Sequence, residues 1–158
     1  MLEGNLVDAS IFYTGFEDSD LWVAALGKNV ANYRQIIDLA VEGQVVKHSG
    51  FQSHWEYNGL LAARWLPFPW DKYLDTSFGG GAGLSYATKI PKLEEERNGE
   101  GQTEKWLVYL MLELAFSLPP IPNWSLITRI HHRSGAFGLF SGVTGSSNAW
   151  AFGIKYDF

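Results

Sequence analysis

Apolar and polar residues alternate along most of this chain with a period of two, which is the period of a strand whose successive side chains point to opposite faces. The C-terminal segment is the plainest case. Trp150, Phe152, Ile154, Tyr156 and Phe158 alternate there with Ala149, Ala151, Gly153, Lys155 and Asp157. In 103–117, Trp106, Val108, Leu110, Leu112, Leu114 and Phe116 oppose Lys105, Tyr109 and Glu113; in 54–66, Trp55, Tyr57, Leu61 and Trp65 oppose His54, Glu56, Asn58 and Arg64. Ile37, Leu39, Val41 and Val45 are set against Asp38, Glu42 and Gln44 in the same way, and Leu74, Phe78, Leu84 and Tyr86 against Asp75, Ser77 and glycines 79, 81 and 83. With turn residues as dividers, the pattern predicts eight strands, over 6–16, 20–28, 34–47, 54–66, 71–88, 103–117, 123–134 and 147–158.

One greasy face and one ionisable face fit three architectures: a soluble sheet with one side buried, a soluble lipocalin-like barrel, and a transmembrane barrel. A lipocalin-like barrel needs an apolar interior. The connections decide the expectation. PFPW (67–70) and SLPPIPN (117–123) are compact and Pro-rich, whereas the alternate connections are longer or polar, notably 89–105 and 135–148. Short turns at one end and long loops at the other are the outer-membrane pattern, with the charged face in the lumen and the apolar face toward lipid. The predicted fold is therefore all-β: a single domain over 1–158 forming an eight-stranded antiparallel transmembrane β-barrel. Eight strands leave an interior filled by side chains, so no diffusion pore is expected.

Composition agrees with that expectation. Aromatic residues make up 15% of the 158 and charged residues only 18%, below the roughly 25% of soluble domains. A net charge of -5 argues against a nucleic-acid partner, which needs a basic stripe. There is no cysteine, which removes disulfides and thiolate metal sites. The segment MLEGNLVDAS lacks the basic and apolar regions of a signal peptide; the expectation is either no signal peptide or a mature form with an added Met1.

The candidate chemistry sits where the alternation changes character. In LITRIHHRSG (126–135) the outward row Trp124, Leu126, Ile130 ends in His132 and Ser134, while Ser125, Arg129, His131 and Arg133 face inward. Asn148, on the strand expected to pair with this one, shares the outward parity. Two readings stay open from the residues alone. The polar pair is either interfacial, where the strand leaves the hydrocarbon, or a base and nucleophile, for which an Asn can orient the imidazole.

HHRSGAFGLF together with GSSNAWAFGIKYDF resembles the C-terminal hairpin of the lipid A 3-O-deacylase (PagL-like) and acyloxyacyl-hydrolase-like outer-membrane family. That family carries a His-x-Ser motif on its penultimate strand, met here by His132-Arg133-Ser134, and the terminal Phe158 resembles the outer-membrane insertion signal. The resemblance implies an esterase of the Gram-negative outer membrane that removes an ester-linked acyl chain from lipid A at the lipid-facing wall, with no cofactor. It also implies the roles: Ser134 the nucleophile, His132 the base, and the backbone N–H groups around Gly135 the oxyanion donors. Two positions depart from the family. Asn148 stands where the family's orienting glutamate matches best, and Gly135 where an Asn usually follows the Ser. The alternative function is a non-catalytic small barrel of the OmpX-like kind, and a third is a soluble carrier of lipophilic ligands.

The remaining motifs carry less. Glu113, Glu56, Asp38, Glu42, Arg64 and Arg129 read as structural ion pairs in the lumen. Histidines 48, 54, 131 and 132 do not show metal-ligand spacing along one face, so no metal is expected. GGGAG (79–83) reads as close-packed barrel wall. EEER (94–97) reads as a solvated loop with the capacity to bind cations that bridge lipopolysaccharide.

Overall fold

A computed structural model describes residues 7–16, 19–92, 95–96, 99–101, 103–136 and 142–158. Among them, β1 (Val7–Phe16), β2 (Ser19–Tyr33), β3 (Ile37–Gly50), β4 (His54–Trp65), β5 (Asp75–Ala87), β6 (Trp106–Ser117), β7 (Trp124–Ser134) and β8 (Ser146–Asp157) form one closed sheet in chain order. Each strand pairs antiparallel with its sequence neighbour, and β8 closes on β1.

The burial pattern is inverted relative to a water-soluble protein. Leu61 and Leu126 are 68% and 67% exposed, whereas Glu56 and Glu113 are 0% and 1% exposed. An apolar belt of this extent is a lipid-facing surface, not one that water tolerates, and the polar interior removes the lipocalin-like reading. Aromatic side chains gather toward both rims, with Tyr13, Trp22, Trp55, Tyr57, Tyr86 and Trp106 at one end and Tyr33, Trp65, Trp124, Tyr156 and Phe158 at the other. On β4 the girdles are Trp55 and Trp65. That interval rises about 33 Å along the strand, or about 25 Å along the membrane normal at a tilt near 40°, the height of an outer-membrane apolar band.

Several strand boundaries differ from the sequence expectation, among them the end of β3, at Gly50 and not 47, and the start of β6, at Trp106 and not 103. β2 and β3 run to Tyr33 and from Ile37, joined by a tight turn in which Arg34 and Gln35 take φ of 52° and 59° and Ile36 N–H donates to Tyr33 O at 2.9 Å. Two positive φ values make a type I′ hairpin, normally signalled by Asn-Gly, and neither residue gives that signal. β5 starts at Asp75 and not at 71, because Asp71 holds the preceding turn by accepting from Phe68 N–H at 2.7 Å and Thr76 N–H at 3.1 Å. The loop end is also less uniform than expected. Residues 88–105 and 135–145 are long connections there, but 51–53 is tight. Parts of EEER, residues 94 and 97, lie outside the described residues.

The middle of the lumen is filled by paired charges. Arg64 donates to Glu113 Oε1 at 2.8 Å and to Glu42 Oε2 at 3.2 Å, and Arg129 donates to Glu113 Oε2 at 2.6 Å and Glu42 Oε2 at 2.9 Å. All four are at most 4% exposed. Two cations and two anions on β3, β4, β6 and β7 thus neutralise one another across the interior, as the inward parity of these residues predicts. Arg129→Ala strips both carboxylates of a partner and is expected to destabilise the barrel by about 3–5 kcal/mol, read as a lowered urea midpoint for folding into detergent micelles; an unchanged midpoint would mean that the quartet does not support the fold.

Candidate active site

The site begins with the register between β7 and β8. His132 stands directly opposite Asn148, and Ser134 opposite Ser146. Both β7 residues are half-buried on the outer wall, while Asn148 is exposed. His132 Nδ1 and Asn148 Oδ1 are 2.6 Å apart. A carbonyl oxygen only accepts, so Nδ1 carries the proton and Nε2 keeps its lone pair. That is the tautomer of a general base whose far nitrogen is held by an orienting group.

Ser134 follows on the same face, about 6.6 Å further along the strand. Among the described residues its hydroxyl accepts and donates no hydrogen bond, to His132 or otherwise. A rotation of the two side chains is needed to join them, as is common before substrate binds. His132 lies eight positions up β7 from Trp124, about 20 Å along the membrane normal at the same tilt. The pair is thus just beneath the loop-end boundary of the apolar band.

Gly135 departs from its expected role. Its N–H donates to Gly145 O at 3.1 Å, so it closes the base of the 135–145 connection and does not stand free for an oxyanion. The glycine is needed there for another reason: a Cβ at this position would lie 2.0 Å from Val143 O. An Asn after the serine, as in the resembling family, cannot fit against that backbone. Ala136 then takes a left-handed φ of 50°, a conformation that costs a non-glycine residue about 1–2 kcal/mol.

A groove of about 720 Å³ leads away from His132 and Asn148 across the outer wall. Its geometry follows from two adjacent cross-strand rows. The upper row runs Leu61, Ala82, Leu110, His132, Asn148, and the lower row runs Ala63, Gly80, Leu112, Ile130. Gly80, Ala82 and Ala63 are short, so the wall sinks between Leu61 and Leu39 on one side and Leu110 and Leu112 on the other. From β7 to β4 the groove covers three strand spacings, about 14 Å. GGGAG is close-packed wall on its inward side, where Gly79 meets Arg64 and Gly81 meets Leu60. Its outward residues Gly80 and Ala82 floor the groove, which the sequence reading did not anticipate.

The inward residues of the same strand form a second cluster. Glu56 receives His131 Nε2 at 2.9 Å, His48 Nε2 at 3.0 Å and the Ser85 hydroxyl at 3.0 Å, and Arg133 Nε donates to that hydroxyl at 2.8 Å. His48 and His54 are directly paired across β3 and β4. Histidines that look scattered in sequence therefore converge on one carboxylate, contrary to the expectation from spacing along the chain. Only His132 is turned outward.

No protein-family model matches this chain, and no curated protein does. Among solved structures, the chain is similar to the crystal structure of the outer membrane enzyme PagL, at 12% identity over 97% of this chain and 98% of that one, with a TM-score of 0.61. The chain thus has the fold of an outer-membrane-type eight-stranded barrel, shared along its whole length with that enzyme.

Proposed function

We propose that this protein is an outer-membrane esterase that removes an ester-linked acyl chain from lipid A or a closely related acylated lipid, working from the lipid-facing wall. The observation that carries the reading is the His132–Asn148 hydrogen bond at the head of an apolar groove, two residues along β7 from an outward serine. The His-x-Ser resemblance and the PagL-like fold support the same reading. They also support placement in the outer membrane of a Gram-negative-type bacterium, with lipopolysaccharide and bulk outer-membrane lipids as its surroundings.

The chemistry follows from depth and geometry. A glycolipid in the outer leaflet keeps its sugar and ester at the band's edge and its chains below it, which brings the ester carbonyl to Ser134 and an acyl chain into the groove. Ser134 Oγ adds to the carbonyl carbon as its proton passes to His132 Nε2. Asn148 holds the ring through Nδ1 meanwhile. Collapse of the tetrahedral intermediate breaks the C–O bond to the sugar, and His132 returns the proton to the departing alkoxide. Water, deprotonated by the same Nε2, then cleaves the acyl-enzyme to the free fatty acid. With the Gly135 N–H engaged, the oxyanion donor falls to the Ala136 N–H at the left-handed turn. Neutral Asn148 orients the ring but adds no charge to stabilise the imidazolium, so the expected turnover is slow.

Purified barrel incubated with lipid A in detergent is expected to release a hydroxyacyl chain, seen by mass spectrometry, and Ser134→Ala is expected to lower the rate at least about 10³-fold. Release that survives this substitution removes Ser134 from the mechanism. No release by the parent protein favours the non-catalytic OmpX-like alternative. Asn148→Glu restores a charged orienting group and is expected to raise kcat about ten-fold or more, the reverse of the loss seen when a triad carboxylate becomes an amide; an unchanged kcat takes Asn148 out of the site.

Chain selectivity tests the groove separately. A Cβ at Gly80 would meet Leu112 Cδ2 at 3.7 Å and Met111 O at 3.8 Å, both ordinary van der Waals contacts, so Gly80→Leu fills the floor without disturbing the sheet. It is expected to raise KM several-fold for long acyl esters and leave short ones unaffected. An equal effect on both would show that the acyl chain lies elsewhere.

A further inference from the structure

We infer that the loop end of the lumen binds one divalent transition-metal cation, held by His48, His54 and Glu56. The inward parity of β3 and β4 and their register set His48 directly opposite His54, with Glu56 next on the same inner face. One donor atom from each of the three lies within 4.8 Å of the other two. A tetrahedral site with bonds of about 2.0–2.2 Å places its donor atoms about 3.3–3.6 Å apart, so small side-chain rotations close the set. His48 Nε2 and Glu56 Oε2 are already at 3.0 Å.

His54 distinguishes this arrangement from a plain buried hydrogen-bond network. Glu56 explains His48 and His131, since each gives it a hydrogen bond. It does not explain His54, which is 3% exposed and whose Nε2 is buried with no hydrogen-bond partner. The His54 ring stacks on His48 at 4.1 Å between centroids and 12° between planes. A buried imidazole nitrogen without a partner is a costly choice for a position that only fills space. It is the expected state of a ligand whose partner is an ion.

The surrounding groups are those a metal site uses to orient its ligands. His131 Nε2 holds the other Glu56 oxygen at 2.9 Å, and the Ser85 hydroxyl reaches the same oxygen at 3.0 Å. Gln52 Nε2 stands 3.2 Å from His48 Nδ1. When the metal takes His48 Nε2, the proton there moves to Nδ1, and the Gln52 amide, turned over, accepts it through Oε1. Two imidazoles and one carboxylate select a Zn²⁺-class ion over Ca²⁺ or Mg²⁺, which prefer oxygen donors throughout. Such an ion ties β3 to β4 at the end where only residues 51–53 join them.

The test uses folded, tag-free, full-length protein in detergent, treated with chelator, desalted and titrated with Co²⁺ near neutral pH. One Co²⁺ per chain is expected to survive a second desalting, to give visible d–d absorption and to be displaced by Zn²⁺, with a higher thermal midpoint in its presence. His54→Gln and His54→Asn remove the ligand without breaking a hydrogen bond. Both are expected to weaken Co²⁺ binding at least about ten-fold while the barrel still shows its folded gel mobility. Retention of less than a stoichiometric ion by the parent overturns the proposal. So does undiminished binding in whichever His54 variant folds, or an equal thermal shift with Mg²⁺.

Discussion

The constraint behind this structure is that a closed eight-stranded barrel takes the charges it encloses out of bulk water. Two arginines and two glutamates in the middle of the lumen are each buried, and an isolated buried charge costs far more than a barrel of this size can spare. Arg64 and Arg129 are therefore each shared between Glu42 and Glu113, with hydrogen bonds running between β3, β4, β6 and β7. That sharing fixes which residues of each strand point in. Arg129, His131 and Arg133 can only be inward, so Ile130, His132 and Ser134 can only be outward. A slip of one residue in β7 would put arginines into lipid and the apolar row into the lumen. The outer site thus inherits its orientation from a network it never touches.

How much of this was legible in the sequence depended on whether a feature lives along one strand or between strands. Face parity lives along a strand, and it was readable: Glu56, Asn58 and Arg64 inward, Tyr57 and Leu61 outward. The His132–Asn148 contact was also readable, because both residues flank one hairpin connection at comparable distances from its ends. The β2–β3 turn was not. Arg34 and Gln35 adopt left-handed φ without glycine or asparagine to announce it, and a bulge between Asn29 and Ala31 shifts the register beside it. The convergence of His48 and His54 depends on the tight 51–53 connection between β3 and β4, and the convergence of His131 on closure of the barrel. Neither leaves a trace in spacing along the chain.

The groove shows a second limit of reading residues one at a time. A run of small residues predicts close packing, and on the inner face it delivers that, with Arg64 and Leu60 filling the space beside Gly79 and Gly81. On the outer face the same run has nothing packed over it. Missing side chains become a depression flanked by Leu61, Leu110 and Leu112. Small size is a statement about volume, and whether that volume is filled or left open depends on which side of the wall faces a neighbour.

The position of Asn148 can be argued from its surroundings. It is exposed on the wall that faces lipid, near the edge of the apolar band, where an ionised carboxylate without a cationic partner is expensive. A glutamate there is stabilised only while His132 is protonated, which in the proposed acyl transfer is a brief state. An amide makes the same hydrogen bond to Nδ1 in the resting state at a much lower desolvation cost. On the proposed reading, the amide favours a well-held, neutral imidazole over a stabilised imidazolium, with slower turnover but a lower cost at the membrane edge. On the opposite side of β7, His131 and Arg133 are held by Glu56 and Ser85, so the backbone carrying His132 is anchored from within even though its own side chain has a single neutral partner. Orientation in this site comes from the rigidity of the strand, and the asparagine only has to choose the tautomer.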